Sequence, residues 1–235
     1  MHLHEISEHN TKIWVPDHLR SDFQVNWFEA VSSQSIANEW QSGRQSIVRV
    51  NAAGRYMVRR HYCRGGVPAR FSKDRFVFRG FKASRPFREL TLLLHMRRLD
   101  LPVPEPVAAR CVVQGFLYHA DILMSEISDS KTLAQLVSEA RLEKEVWLKV
   151  GKKISQFHQQ DIQHVDLNAN NILIDKAGEV YLIDFDRCMQ RAFSQSWAQL
   201  GLDRLKRSLD KQKLKHEGAH FHQSDFDSLM QGYRA

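Results

Sequence analysis

One stretch constrains this chain more than any other. From Val146 to Asp186 the sequence reads as an amphipathic helix, a polar loop and a short apolar hairpin. Val146, Val150, Ile154 and Phe157 recur at helical spacing, so a helix ends near His158. The loop Gln159–Asn171 then crowds Asp, Asn and His together. Two apolar runs, Ile172–Ile174 and Val180–Ile183, flank the turn Asp175-Lys176-Ala177-Gly178-Glu179 and predict a hairpin. With its midpoint taken between Ala177 and Gly178, Asn171 and Asp184 are expected to face each other across the open end. Ladder partners have Cβ atoms about 5 Å apart, a gap that one cation can bridge. A carboxylate and an amide oxygen suit magnesium, which takes hard oxygen ligands and few of them from protein. Asp166, five residues before Asn171, brings a second carboxylate near such a metal. A carboxylate there can orient an attacking hydroxyl and accept its proton. Each of these Asp and Asn residues alone is an ordinary turn former. The joint pattern, ending in Asp184-Phe185-Asp186, is not.

The rest of the chain divides by character. Up to about Ile127 it reads mostly as strands, with a hairpin Ser46–Asn51 and Tyr56–Arg60 about the turn Ala52–Gly54. One helix follows Ser84-Arg85-Pro86 and places Leu90, Leu93 and Leu94 on one face. The run Leu101-Pro102-Val103-Pro104-Glu105-Pro106 cannot stay helical and reads as extended. A strand at His119–Met124 closes this part. Beyond the polar loop and its hairpin, a helix carrying Trp197, Leu205 and Leu209 and a last helix near Asp225–Gln231 complete a helical second part. The expectation is an α+β chain with a ligand cleft between its two parts.

Charge narrows the partner. The net charge is +7, and Arg55 to Arg98 hold thirteen Lys or Arg against two acids, Asp74 and Glu89. That favours an anionic partner: nucleic acid, acidic lipid headgroups or a phosphorylated substrate. No apolar run approaches the ~20 residues of a membrane span, and Met1–Trp14 lacks the apolar core of a signal peptide. The chain is therefore expected in the cytoplasm. Cys63, Cys111 and Cys188 are odd in number and far apart, which predicts reduced thiols and no zinc site. His158 and His164 lack the four-residue spacing of a zinc helix.

His164-Val165-Asp166-Leu167 with Asn171 resembles the catalytic loop of protein kinases, H-R-D-L-x-x-x-N, and Asp184-Phe185-Asp186 resembles D-F-G. The resemblance implies a protein-kinase-like two-lobed fold. Its strand-rich N-lobe would cover about 1–126, the hinge about 125–130 and a reduced helical C-lobe about 131–235. It implies ATP and Mg2+ as cofactors, Asp166 as catalytic residue, Asn171 and Asp184 as metal ligands, and His164 bracing the catalytic loop. Arg60 stands in the position of the phosphate-binding Lys, with Arg59 the other candidate, and Glu89 resembles the acid that pairs with that cation. Leu123–Ile127 resembles the hinge strand, which assigns Glu126 and Ile127 to adenine. Val165 replaces the loop Arg, Asp186 replaces the Gly of D-F-G, and only 51 residues follow Asp184, none spelling A-P-E. A peptide-binding lobe is not expected. The phosphate loop, Gly43-Arg44-Gln45-Ser46, has one glycine.

Arg60-His61-Tyr62, Arg64-Gly65-Gly66, Arg88-Glu89, Leu101-Pro102-Val103-Pro104 and Val165-Asp166-Leu167-Asn168 are similar to the 3-deoxy-D-manno-octulosonic acid (Kdo) kinases among lipopolysaccharide core kinases. The implied acceptor is the 4-hydroxyl of Kdo in a lipid A precursor at the cytoplasmic face of a bacterial inner membrane. Such an anionic glycolipid suits the basic first part, and peripheral binding to an anionic membrane surface is expected. Two rivals differ in class. An aminoglycoside- or choline-type kinase would want an acidic acceptor pocket, against the basic excess. A non-catalytic nucleic-acid-binding protein would not need Asp166, Asn171 and Asp184 together, and no RNA-recognition motif occurs. Arg75-Phe76-Val77-Phe78-Arg79 is the nearest imitation, and reads as an amphipathic surface strand. Neither a nucleic acid nor a protein partner is expected.

Overall fold

A computed structural model describes residues 2–29, 46–63, 74–215 and 220–235. The turn Gly43–Gln45, the segment Arg64-Gly65-Gly66, Lys73 and His216 lie outside the described residues. The chain resolves into two compact units, Met1–Leu94 with Glu105–Glu126, and His95–Pro104 with Ile127–Ala235.

The first unit is built on an antiparallel sheet. Its strands are β1 (Leu3–Glu8), β2 (Thr11–Pro16), β3 (Ser46–Ala52), β4 (Arg55–His61), β5 (Phe76–Val77), β6 (Pro106–Gln114) and β7 (Leu117–Ser125). They run in the order β1-β2-β6-β7-β4-β3, with β5 on β7. The β1–β2 hairpin was not expected, because its first strand has few buried positions and hence a weak pattern. The expected second hairpin is present, with Ala52 opposite Arg55. Its two turn residues, Ala53 and Gly54, both have positive φ, the twist that suits a tight two-residue turn. Ile13, Val15, Val50, Met57 and Leu123 face one buried cluster with Trp27 and Phe28. Helix α1, Arg85–Arg98, carries Pro86 in its first turn, where a proline is tolerated, and its Phe87 meets Trp14 edge-on at 5.1 Å.

The second unit holds β8 (Lys131–Thr132), α2 (Leu133–Glu139), α3 (Lys144–Gln159), β9 (Ile162–Gln163), β10 (Ile172–Ile174), β11 (Val180–Leu182), β12 (Met189–Gln190), α4 (Gln195–Lys215) and α5 (Gln223–Arg234). Helix α2 was not expected; it is short, and a capping box between Thr132 and Gln135 starts it. Helices α3 and α5 cross at two glycines. A Cβ on Gly151 would lie 1.9 Å from the Leu229 carbonyl oxygen, and one on Gly232 would lie 2.1 Å from that of Leu148. The extended run before Pro106 belongs largely to this unit, not to the first part where the sequence put it. The Leu182 N–H donates to the Pro102 carbonyl at 3.1 Å, and Leu101 and Val103 are buried.

Candidate functional site

The polar loop is held from several sides. β9 pairs with β12, Gln163 opposite Met189, so the chain just past Phe185 folds back on the loop entrance. The His164 ring lies edge-on to Phe185 at 4.9 Å, and Phe185 stacks on Phe157 of α3. The His164 Nε2 lies 2.9 Å from the Ile183 carbonyl oxygen and must carry the proton there. Burial holds this imidazole below its ordinary pKa, against the nearby Asp184 and Asp166 carboxylates, so it stays neutral. Leu167 is fully buried, and the Ala169 N–H donates to the Ser208 hydroxyl of α4 at 2.9 Å.

Within that frame the Asp166 backbone carbonyl accepts two side-chain amides, from Asn168 at 2.8 Å and Asn171 at 2.9 Å. Asn171 is nearly buried, so this bond fixes which way its amide points: the NH2 is used internally and the carbonyl oxygen is the end left for a cation. Asp166 is exposed at the side chain, and its Oδ1 accepts from Arg204 Nη1 of α4 at 3.0 Å.

The hairpin differs from expectation by one residue. The pairs are Ile172 with Leu182 and Ile174 with Val180, centring the turn on Ala177. Asn171 therefore meets Ile183, whose N–H donates to its carbonyl at 3.0 Å, and not Asp184. The reason is the turn. Asp175 bonds Glu179 across its ends, its side chain accepts the N–H groups of Ala177 and Glu179, and Gly178 takes positive φ, leaving a three-residue loop. Asp184 is the next residue and turns with φ of 62°. Buried Phe185 anchors it from the other side. An oriented amide oxygen and a carboxylate at adjoining ladder positions fit a magnesium ion that draws its other ligands from phosphate and water. Among the described residues no group of three His, Cys, Asp or Glu side chains could hold a metal.

In the first unit Arg60 and Glu89, both buried, form an ion pair, and the Tyr62 hydroxyl donates to the same Glu89 oxygen at 2.6 Å. The Arg60 guanidinium also lies over the Tyr62 ring. Arg59, one residue before on the strand, points away and donates to the Phe28 carbonyl. The Glu126 N–H donates to the Tyr56 carbonyl at 3.0 Å, its carboxylate pairs with Arg49, and the Ile127 carbonyl accepts from Ser130. The side chain of Glu126 thus serves the sheet edge.

Several basic residues of the first part are also engaged: Arg55 with Asp22, and Arg85 over the Phe76 ring. Arg75, Arg79, Lys82 and Arg88 are exposed. His158 donates or accepts with the Tyr233 hydroxyl at 2.8 Å and meets Trp197 edge-on, which ties three helices together. Burial pushes the Cys111 thiol up to about 12. Sequence reasoning missed Arg204, because only tertiary packing brings α4 to the loop. The place of Tyr62 two residues after Arg60, on the same face of the extended chain, is the sequence signal for its part in this cluster.

No helix among the described residues is long and apolar enough to cross a membrane. The profile of the lipopolysaccharide kinase (Kdo/WaaP) family matches residues 31–233. A 3-deoxy-D-manno-octulosonic acid kinase of Photobacterium profundum is 34% identical over 233 residues, 98% of each chain. One of Vibrio vulnificus is 39% identical over 176 residues, covering 75% of this chain and 74% of its own. One of Stenotrophomonas maltophilia is 40% identical over 171 residues, 73% and 68% respectively. With a catalytic-loop sequence, an oriented Asn and a paired Arg and Glu already in place, this chain belongs to the lipopolysaccharide kinase (Kdo/WaaP) family.

Proposed function

We propose that this kinase transfers the γ-phosphoryl of ATP to the 4-hydroxyl of Kdo in a lipid A precursor, with magnesium, at the cytoplasmic face of the inner membrane. The observation that carries the reading is the bond from the Asn171 amide to the Asp166 carbonyl, which couples the candidate base to the candidate metal ligand. Asp166 orients the acceptor hydroxyl and takes its proton as the new O–P bond forms and ADP departs. Asn171 and Asp184 hold the magnesium, which supplies charge neutralisation at the phosphates. Arg60 keeps a fixed cation for the phosphates because Glu89 and Tyr62 fix its direction. An Arg in this role retains charge at any working pH and binds phosphate through its fork. His164 holds the loop to Ile183. Glu126 and Ile127 contribute to adenine through backbone groups other than those already paired.

Peripheral attachment follows from the same reading, since the acceptor is an anionic glycolipid. The test is labelled ATP with a panel of acceptors: Kdo-lipid A precursor, the delipidated sugar, an aminoglycoside, choline and a generic protein. Label on the first two alone is expected. Label on the aminoglycoside or choline with none on Kdo would overturn the acceptor while leaving the kinase chemistry.

A further inference from the structure

Helix α4 meets the polar loop at three successive places. Gly201 leaves room for Leu167, whose Cδ2 atom would lie 3.7 Å from a Cβ at that glycine. Arg204 Nη1 donates to Asp166 Oδ1 at 3.0 Å. The Ser208 hydroxyl accepts the Ala169 N–H at 2.9 Å and donates to the Leu205 carbonyl at 2.8 Å. Steps of three and four residues put these positions on one side of the helix. Buried Leu202, Leu205 and Leu209 seat it. The packing that fixes the loop therefore also brings Arg204 to the candidate base. From Asp161 to Ile174 the chain carries no Lys or Arg, so the cation at Asp166 has to come from elsewhere, and α4 supplies it. The pair is open to solvent, its side chains 50% and 54% exposed. The bond engages one of the five N–H groups of the guanidinium and one of the two carboxylate oxygens. Asp166 Oδ2 accepts no hydrogen bond among the described residues, so it is the oxygen left for an acceptor hydroxyl.

We propose that Arg204 binds the carboxylate of the acceptor sugar while keeping its hold on Asp166, and so selects an acidic sugar. Kdo is a carboxylic acid, and its 4-hydroxyl and its carboxylate stand on ring carbons two apart. Docking that hydroxyl on Asp166 Oδ2 brings a second carboxylate up to the first. Two like charges at that range repel, and a cation between them turns the repulsion into attraction. A guanidinium can do this with separate N–H groups, one on Asp166 and others on the sugar. An exposed ion pair is weakly held, so Arg204 can adjust to the incoming carboxylate at little cost. The candidate metal ligands, Asn171 and Asp184, belong to the hairpin. In-line transfer sets the acceptor and the departing nucleotide on opposite sides of the phosphorus. A cation brought to the base by α4, and not by the hairpin, thus serves the acceptor. The inference rests on the Kdo reading above and adds the residue that recognises the acid.

The test compares Kdo-lipid A precursor with the same acceptor whose Kdo carboxyl has been converted to the neutral carboxamide, both with labelled ATP. The unaltered chain is expected to favour the acid roughly ten- to hundredfold in kcat/KM, the range of a hydrogen bond to a charged group. Arg204→Gln is expected to lose that preference, with the acid falling toward the carboxamide mainly through a higher acceptor KM. The KM for ATP should not change, which also shows that the variant is folded. Arg204→Lys keeps the charge without the fork and should recover the preference in part. An Arg204→Gln variant that prefers the acid as strongly as before would overturn the inference. So would an equal fall on both acceptors, which would give Arg204 to the phosphoryl group or to Asp166 alone. Equal labelling of acid and carboxamide by the unaltered chain would refute the carboxylate contact and leave the Kdo reading standing. Label on neither would overturn the Kdo reading, and this role with it.

Discussion

At Asp166 two functions share one residue. The side chain is open to solvent and to Arg204, while the backbone carbonyl is committed to Asn168 and Asn171. Asp166→Ala should therefore leave the loop's shape intact. Turnover is expected to fall by at least a hundredfold, in the range that general-base groups supply, with nucleotide affinity close to normal. Equal losses in rate and nucleotide affinity would move Asp166 to the metal. Asp184→Ala and Asn171→Ala should both weaken magnesium-dependent nucleotide binding, Asp184 more because it brings a full charge. Titration with magnesium checks this: high magnesium is expected to restore Asn171→Ala in part, and unchanged metal dependence in both variants would refute the assignment. Arg60 and Glu89 carry a different kind of risk. Removing one partner of a buried ion pair leaves the other uncompensated, at a cost of about 3–5 kcal/mol, so alanine variants there will report stability before they report chemistry.

Among the elements, α3 and α5 meet where two glycines let their backbones touch. Gly151→Ala would drive a methyl into the Leu229 carbonyl, and Gly232→Ala into that of Leu148. Each is expected to destabilise the fold by about 3 kcal/mol, measured as a lower urea midpoint, because overpacking against backbone leaves no flexible side chain to yield. A midpoint that does not move would mean that the helices cross elsewhere. Neither glycine stood out in the sequence, where a helical glycine marks only low propensity. The long elements were legible. The apolar spacing of Val146 to Phe157 announced α3, and the β-branched runs about Ala52–Gly54 announced the β3–β4 hairpin. Short elements were not, since β1 and α2 lack the repeated period that burial writes into a longer segment. At the site, residue types and spacing named Asp166, Asn171 and Asp184, but counting from the hairpin's two ends missed the register by one. That register depends on Asp175 capping its own turn, a side-chain bond that spacing cannot display. Arg204 was invisible for a stronger reason, lying 38 residues from its partner.

For the whole molecule, acid should be the weak side. Burial holds His158 down to about 4, and His164 is also held below its ordinary value. A histidine depressed in the folded state stays neutral while its unfolded counterpart takes up a proton. The unfolded state thus binds more protons as pH falls from about 6.5 toward 4, and stability declines across that window. The part due to His158 is about 3 kcal/mol. His158→Phe keeps an aromatic ring against Trp197 and is expected to flatten this decline, seen by comparing urea midpoints at pH 7 and pH 5. An unchanged slope would place the acid sensitivity elsewhere. The glycine crossing has a further consequence, in time and not in energy. Gly151 and Gly232 stand about eighty residues apart, and closing a loop of that length carries an entropy penalty that only the finished contact repays. The segment between them includes the polar loop and its hairpin. During synthesis, at roughly 5–20 residues per second, α3 leaves the ribosome several seconds before α5 can answer it. The nascent chain therefore leaves the α3 backbone about Leu148 and Gly151 uncovered until α5 docks.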